Sequence, residues 1–328
     1  MEPVFLKRQT KTMEARVCLV RSEPDGTLGV IPQYCRMTGR RLVMTLVEIA
    51  FQSLAYASVL YLISVGLSVT LGLMGFVNLA HGVFAMAGGY IAATAISAWG
   101  LPWPLMVICA PLAVALLAAV SEKLLYARLY GRSELDQVLF CIGLIFIVGA
   151  LARLFFGPLM RPVVIPASLA QNLTVGPFSF YIYKLVVIGI GILTAAFILF
   201  VLERSRIGAI IRASVENRGM AESIGIRTKH VFMATFAFGG ALAALGGMLG
   251  ADVFGLNPSY AFDILVYVQI VVAVAGLGTL RGSFVAALLV GTVQTVSAYY
   301  VPAFGTVMLF LLVFILLLVR PRGLFGRV

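Results

Sequence analysis

Apolar residues run along this chain in long blocks, at 83–98, 102–121, 135–156, 181–203, 231–251, 264–278, 284–300 and 306–319, separated by short polar breaks. Each block approaches the roughly 20 residues that a helix needs to cross a bilayer. Upstream, 42–80 is too long for one upright helix. It reads either as one tilted helix plus a re-entrant piece or as two short spans. Alternating ten-residue strands are absent, which disfavours a β-barrel. The pattern predicts an all-α integral membrane protein, a polytopic bundle of about 8–10 transmembrane helices.

Composition agrees, with 61% hydrophobic residues, 11% charged and a mean hydropathy of +1.05. The net charge of +11 lies at the ends of apolar blocks, a distribution that fits the membrane positive-inside pattern and not nucleic-acid binding. By that pattern the loop 204–230 (six Lys/Arg against two Glu), the loop 122–134 and the tail "RPRGLFGR" are cytoplasmic. Segment 252–263, with two Asp and no Lys/Arg, and "SAWGLPW" at 97–103 lie on the other side. The C-terminus is then inside, and the N-terminus joins it only if 42–80 crosses twice, for ten spans.

Residues 1–41 differ, with eight Lys/Arg, four acidic residues and no apolar run. They read as a basic N-terminal extension to a permease domain at 42–328. Either they form a basic cytoplasmic tail, or translation starts at Met37 or Met44. They carry no secretory signal. Cys18, Cys35, Cys109 and Cys141 show no metal or redox spacing and read as structural thiols.

Two glycine-rich stretches, "GLMGFVNLAHGVFAMAGGY" (72–90) and "AVAGLGTLRGSFVAALLVG" (273–291), share a glycine cluster, a polar turn and a Gly followed by Phe two residues on. Gly82/Phe84 and Gly282/Phe284 correspond at a spacing of two hundred. Gly-interrupted segments paired in this way point to an internal repeat with a pathway between its halves. The alternative is a pair of small-residue packing faces. Asn78, His81, Gly82, Gln269, Gly276 and Gly278 are the candidates for the pathway or the helix break. Asn78 and His81 suit either capping of freed backbone groups or contact with solute. Glu48, Gln52, Arg153 and Gln294 are further polar residues within apolar blocks. Of these, Glu48 is placed near the inner end of its span and Arg153 at an outer interface.

Few ionisable groups lie at mid-membrane depth, which argues against an ion-driven carrier. No GxxxxGK[ST] stretch is present, so the chain cannot cradle ATP in a Walker A loop. A separate ATPase would have to grip it. The segment "RASVENRGMAESIGI" at 212–226 fits such a grip. Ile207, Ile210, Ile211 and Ser214 share one helical face, Arg212/Glu216 and Arg218/Glu222 are spaced to pair, and Gly225 ends the helix. A short amphipathic helix results, suited to a groove on a partner or to the lipid interface.

From about residue 45 to the end the sequence resembles the LivH-type permeases of branched-chain amino acid ABC importers. The resemblance rests on the two glycine-rich stretches, on "RIGAIIRASVENRGMAESIGI" and on the closing "RPRGLFG". It implies that the central stretch is an EAA-like coupling loop, matched at Arg212, Ala213, Glu216, Asn217, Ala221, Gly225 and Ile226. Residues 1–41 and Glu222, where a small residue is more usual, depart from the pattern. The resemblance further implies a bacterial inner-membrane protein with no cofactor of its own and no bond chemistry. ATP and Mg would be bound by two partner ATPase subunits, beside a second, LivM-like permease and a periplasmic solute-binding protein. Urea and short amides are alternative solutes. The rivals are a gradient-driven carrier and, more remotely, an intramembrane enzyme using His81.

Overall fold

The computed structural model describes residues 32–74, 78–276 and 278–326. The rest of the 1–41 extension, residues 75–77 of the first glycine-rich stretch, Leu277 and residues 327–328 lie outside the described residues. The chain divides into two compact units, Met1–Val47 and Glu48–Val328. The described part of the first is the opening of a helix, α1, which runs Pro32–Met74. The second holds the bundle.

The described residues form eleven α-helices and one hairpin. They are α1, α2 (His81–Trp99), α3 (Trp103–Leu124), α4 (Glu134–Phe156), the antiparallel strands β1 (Asn172–Val175) and β2 (Phe178–Tyr181), α5 (Ile182–Arg204), α6 (Arg206–Glu216), α7 (Arg218–Ser223), α8 (Thr228–Phe254), α9 (Tyr260–Ala275), α10 (Leu280–Tyr300) and α11 (Gly305–Val319). Among the described residues eight helices are long and apolar enough to cross a membrane, and α9 is a shorter apolar helix. The hairpin, closed at Gly176, falls where the apolar pattern names no element.

The 42–80 stretch is one long helix and a break, not two spans. Its candidate span, Leu42–Gly72, has 31 residues, more than an upright crossing requires. A single crossing places Glu48 on the face opposite the C-terminal tail. Accordingly Glu48 shares a cavity with Lys184, at the start of α5, and Tyr299, at the end of α10. Of the two readings of 42–80 this continuity selects the single long helix, and it separates Glu48 from the tail, two features expected on one side.

From Ala55 to Val69 α1 is almost wholly enclosed, with Leu60, Leu62, Ile63, Val65 and Leu67 at 0% exposure. Small residues let its neighbours come close. A Cβ on Gly66 would stand 2.5 Å from the carbonyl oxygen of Gly239 on α8. A Cβ on Gly247 would stand 2.0 Å from that of Ala85 on α2. Ser68 of α1 and Ser283 of α10, both buried, share a 2.7 Å hydrogen bond. The bundle's outside is apolar, with Leu112 and Leu116 on α3, Phe146 and Leu154 on α4, and Phe314 and Leu318 on α11 exposed. Such a surface is stable against lipid tails.

Candidate functional site: a capped two-helix segment and two facing breaks

The charged central segment is two helices, not one. Ser205 caps α6 by accepting from the Gly208 amide at 3.2 Å. Asn217 then leaves the helical region (φ −151°, ψ 96°) and its Oδ1 accepts from the Met220 amide at 3.0 Å, so it ends α6 and caps α7. Asparagine is among the best residues for that position because its short side chain reaches the orphan amides of the first turn. Helix α7 closes with the Ile226 amide on the Ala221 carbonyl (3.0 Å) and the Gly225 amide on that of Glu222 (3.0 Å). Gly225 has φ 88°. This is the paired C-terminal closure that a left-handed glycine permits.

Beneath this closure Ala221 is buried, and the Glu222 carboxylate accepts from the hydroxyl of Thr228, the buried first residue of α8. The unusual acid at 222 thus ties the segment to the next span. Helix α6 packs on α5 and α8, and α7 on α8. Ser214 faces inward and Ile211 is half-buried, whereas Ile207 (61%), Ile210 (41%), Met220 (66%) and Ile224 (70%) stand exposed. Around them Arg204, Arg206, Arg212, Arg227 and Lys229 are exposed as well. The side chains of Glu216 and Arg218, and with them the two expected pairs, lie outside the described residues. Ala213 is half-buried.

The two glycine-rich breaks meet on the same side of the bundle. A Cβ on Gly72 would lie 2.9 Å from the Cα of Gly278, and one on Gly278 2.7 Å from the Cα of Gly72. Asn78 and His81 are both buried. Asn78 Oδ1 accepts a 3.8 Å contact from Cys141 Sγ, and the Tyr126 hydroxyl neighbours the same amide. His81 Nε2 lies 3.1 Å from the Ile63 carbonyl of α1. With that nitrogen protonated, the imidazole binds the start of α2 to the middle of α1. A Cβ on Gly82 would come within 2.4 Å of the Ala261 carbonyl oxygen on α9. Gln269 is half-buried, its Nε2 enclosed without a partner.

The C-terminal tail folds into the second break. The amides of Leu324 and Phe325 donate to the Val274 and Ala275 carbonyls at 2.8 and 3.0 Å, supplying acceptors' partners that the end of α9 would otherwise lack. Gly323 (φ 80°) packs against the backbone of Gly276 and Ala273, and Gly276 (φ 92°) against that of Arg322 and Gly326. "GLG" and "RPRGLFG" are therefore one structural unit, which their separation in sequence conceals. Lys184 was also missed. Its position just inside an apolar block was the available signal.

Comparison with known proteins gives one family. The model of the branched-chain amino acid transport system permease component matches residues 49–319. Among similar chains is the high-affinity branched-chain amino acid transport system permease protein BraD of Pseudomonas aeruginosa, 28% identical over 84% of this chain and 94% of its own. LivH of Escherichia coli strain K12, described in the same words, has the same identity and coverage. The probable branched-chain amino acid transport permease protein LivH of Methanocaldococcus jannaschii is 24% identical over 84% of this chain and 90% of its own. No solved structure matches.

Proposed function

We propose, from the premise that this chain belongs to the branched-chain amino acid transport permease family, that it is the membrane subunit of an ATP-driven importer of branched-chain amino acids. The observation that carries the reading is segment 204–230. Four large apolar side chains stand in the open among five cations on a short, capped pair of helices. Exposed apolar groups ringed by charge mark a protein contact. The chain lacks a Walker A sequence, so the matching surface belongs to separate ATPase subunits, which hold the ATP and Mg. This face is then cytoplasmic and the C-terminal tail lies with it, in an inner membrane.

The assembly comprises two such ATPases, this chain with a second, LivM-like permease, and a periplasmic protein that delivers solute. Closure of the ATPases on ATP pushes α6 and α7. Because Glu222 holds Thr228 and Ala221 packs beneath, the push passes into α8, whose close packing on α1 and α2 transmits it to both breaks. The test is purification of the tagged chain from its native membranes in mild detergent, followed by mass spectrometry and assay of leucine-stimulated ATPase activity. A stoichiometric ATPase and second permease are expected. A chain that purifies alone, also after cross-linking, overturns the reading in favour of a gradient-driven carrier.

A further inference from the structure

On the face opposite the coupling segment, α1, α5, α8 and α10 line an open cleft of about 430 Å³, within the ~300–1,000 Å³ typical of small-molecule sites. Glu48, Gln52, Lys184 and Gln294 supply polar walls, and Ile49 and Val253 apolar ones. Lys184 is half-buried and its ammonium donates to Gln52 Oε1, an uncharged acceptor. The carboxylates of Asp252 and Glu48 are close enough to act on it electrostatically. Gln294 Oε1 is enclosed and has no hydrogen-bond partner. A buried acceptor without a donor costs stability unless something fills it.

Opposite charges, a spare acceptor and an aliphatic wall together match a zwitterion with an alkyl side chain. We propose that this cavity recognises a free aliphatic α-amino acid as it enters the permease. Lys184 takes the carboxylate, Glu48 and Gln294 Oε1 take the ammonium, and Ile49 and Val253 line the alkyl group. An uncharged solute such as urea would leave both charges unmatched. The inference rests on the amino acid reading above and adds the place and chemistry of first contact.

The test uses the full-length chain in lipid nanodiscs, titrated with L-leucine, isoamylamine (leucine without its carboxylate), 4-methylpentanoate (leucine without its ammonium) and urea, followed by saturation-transfer NMR. Leucine should bind saturably, and either truncated probe about tenfold or more weaker, as expected for loss of one charge-assisted hydrogen bond. Lys184→Gln should weaken leucine without altering isoamylamine. Glu48→Gln should weaken leucine without altering 4-methylpentanoate, and Lys184→Arg should retain most leucine affinity. A misfolded variant would not produce that crossed pattern. Leucine binding that is equal in the wild type and in both glutamine variants overturns the cavity while leaving the amino acid reading in place. Binding of urea and not leucine overturns the amino acid reading itself, and absence of saturable binding by any probe overturns the cavity.

Discussion

Gly72 and Gly278 stand face to face, each occupying the space that a Cβ on the other would need. One ends the first long helix and the other lies in the break between α9 and α10, so the two glycine-rich stretches meet at a single point. Gly278 also has φ 74°, where an L side chain costs about 1–2 kcal/mol before any clash is counted. Gly278→Ala should therefore destabilise more than Gly72→Ala, although the two clashes are alike. Thermal unfolding in detergent, read by tryptophan fluorescence, checks the order.

Asn217 serves two helices, closing α6 with its backbone amide on the Ala213 carbonyl and capping α7 with its side chain. Asn217→Ala should remove about 1 kcal/mol of local stability, the usual cost of a lost cap, while Asn217→Asp or Asn217→Ser keeps the acceptor. The expected result is faster amide exchange confined to 206–223 in the alanine variant, with the spans unchanged. Exchange that rises equally across α8 would mean that Asn217 supports the bundle and not the segment alone.

The exposed apolar side chains of 204–230 stand among cations, whereas those of α3, α4 and α11 form a continuous apolar surface, and the proposed coupling role sets the two apart. Ile207→Asp and Met220→Asp should leave insertion and thermal stability intact but weaken recovery of an ATPase partner at least tenfold. Glu216→Arg should act in the same direction. Phe146→Asp, at the exposed middle of α4, should instead impair insertion, since a carboxylate in the bilayer centre costs several kcal/mol. Quantitative co-purification and membrane fractionation of the four variants separate the two surfaces.

His81 bridges α2 to α1 through the Ile63 carbonyl. His81→Ala should lower stability by about 2–4 kcal/mol, because it removes a bond and leaves a void in a closed interior. His81→Gln, which keeps a donor, should recover part of that. If His81→Ala instead kept its full melting temperature and lost only transport, the imidazole would have to contact solute.

Much of this was visible in the linear pattern. Apolar block length gave the helices, and the polar residues of 204–230 set that segment apart from the spans, because burial in a bilayer leaves composition little freedom. What stayed hidden depends on contacts remote in sequence. The kink at Asn217 was hidden because asparagine is also tolerated on a helix surface. Glu48 was expected on the same side as the C-terminal tail, because charge alone could not decide whether 42–80 crosses once or twice. Lys184 acquires meaning only when α5 lies beside Gln52 and Gln294.

The contact between the tail and the second break makes the last prediction specific. Gly323 has φ 80°, and a Cβ there would lie 2.5 Å from the Gly276 amide nitrogen and 2.7 Å from the Ala273 carbonyl oxygen. If conformation alone required glycine, Gly323→Asn would be tolerated better than Gly323→Ala, since asparagine enters the left-handed region more readily. Because backbone atoms also fill the space, both should fail alike, displacing the Leu324 and Phe325 amides from the Val274 and Ala275 carbonyls. Amide exchange at 324 and 325 should then accelerate in both variants, along with a lower melting temperature. A stable asparagine variant beside an unstable alanine variant would show that the break can open to admit a side chain.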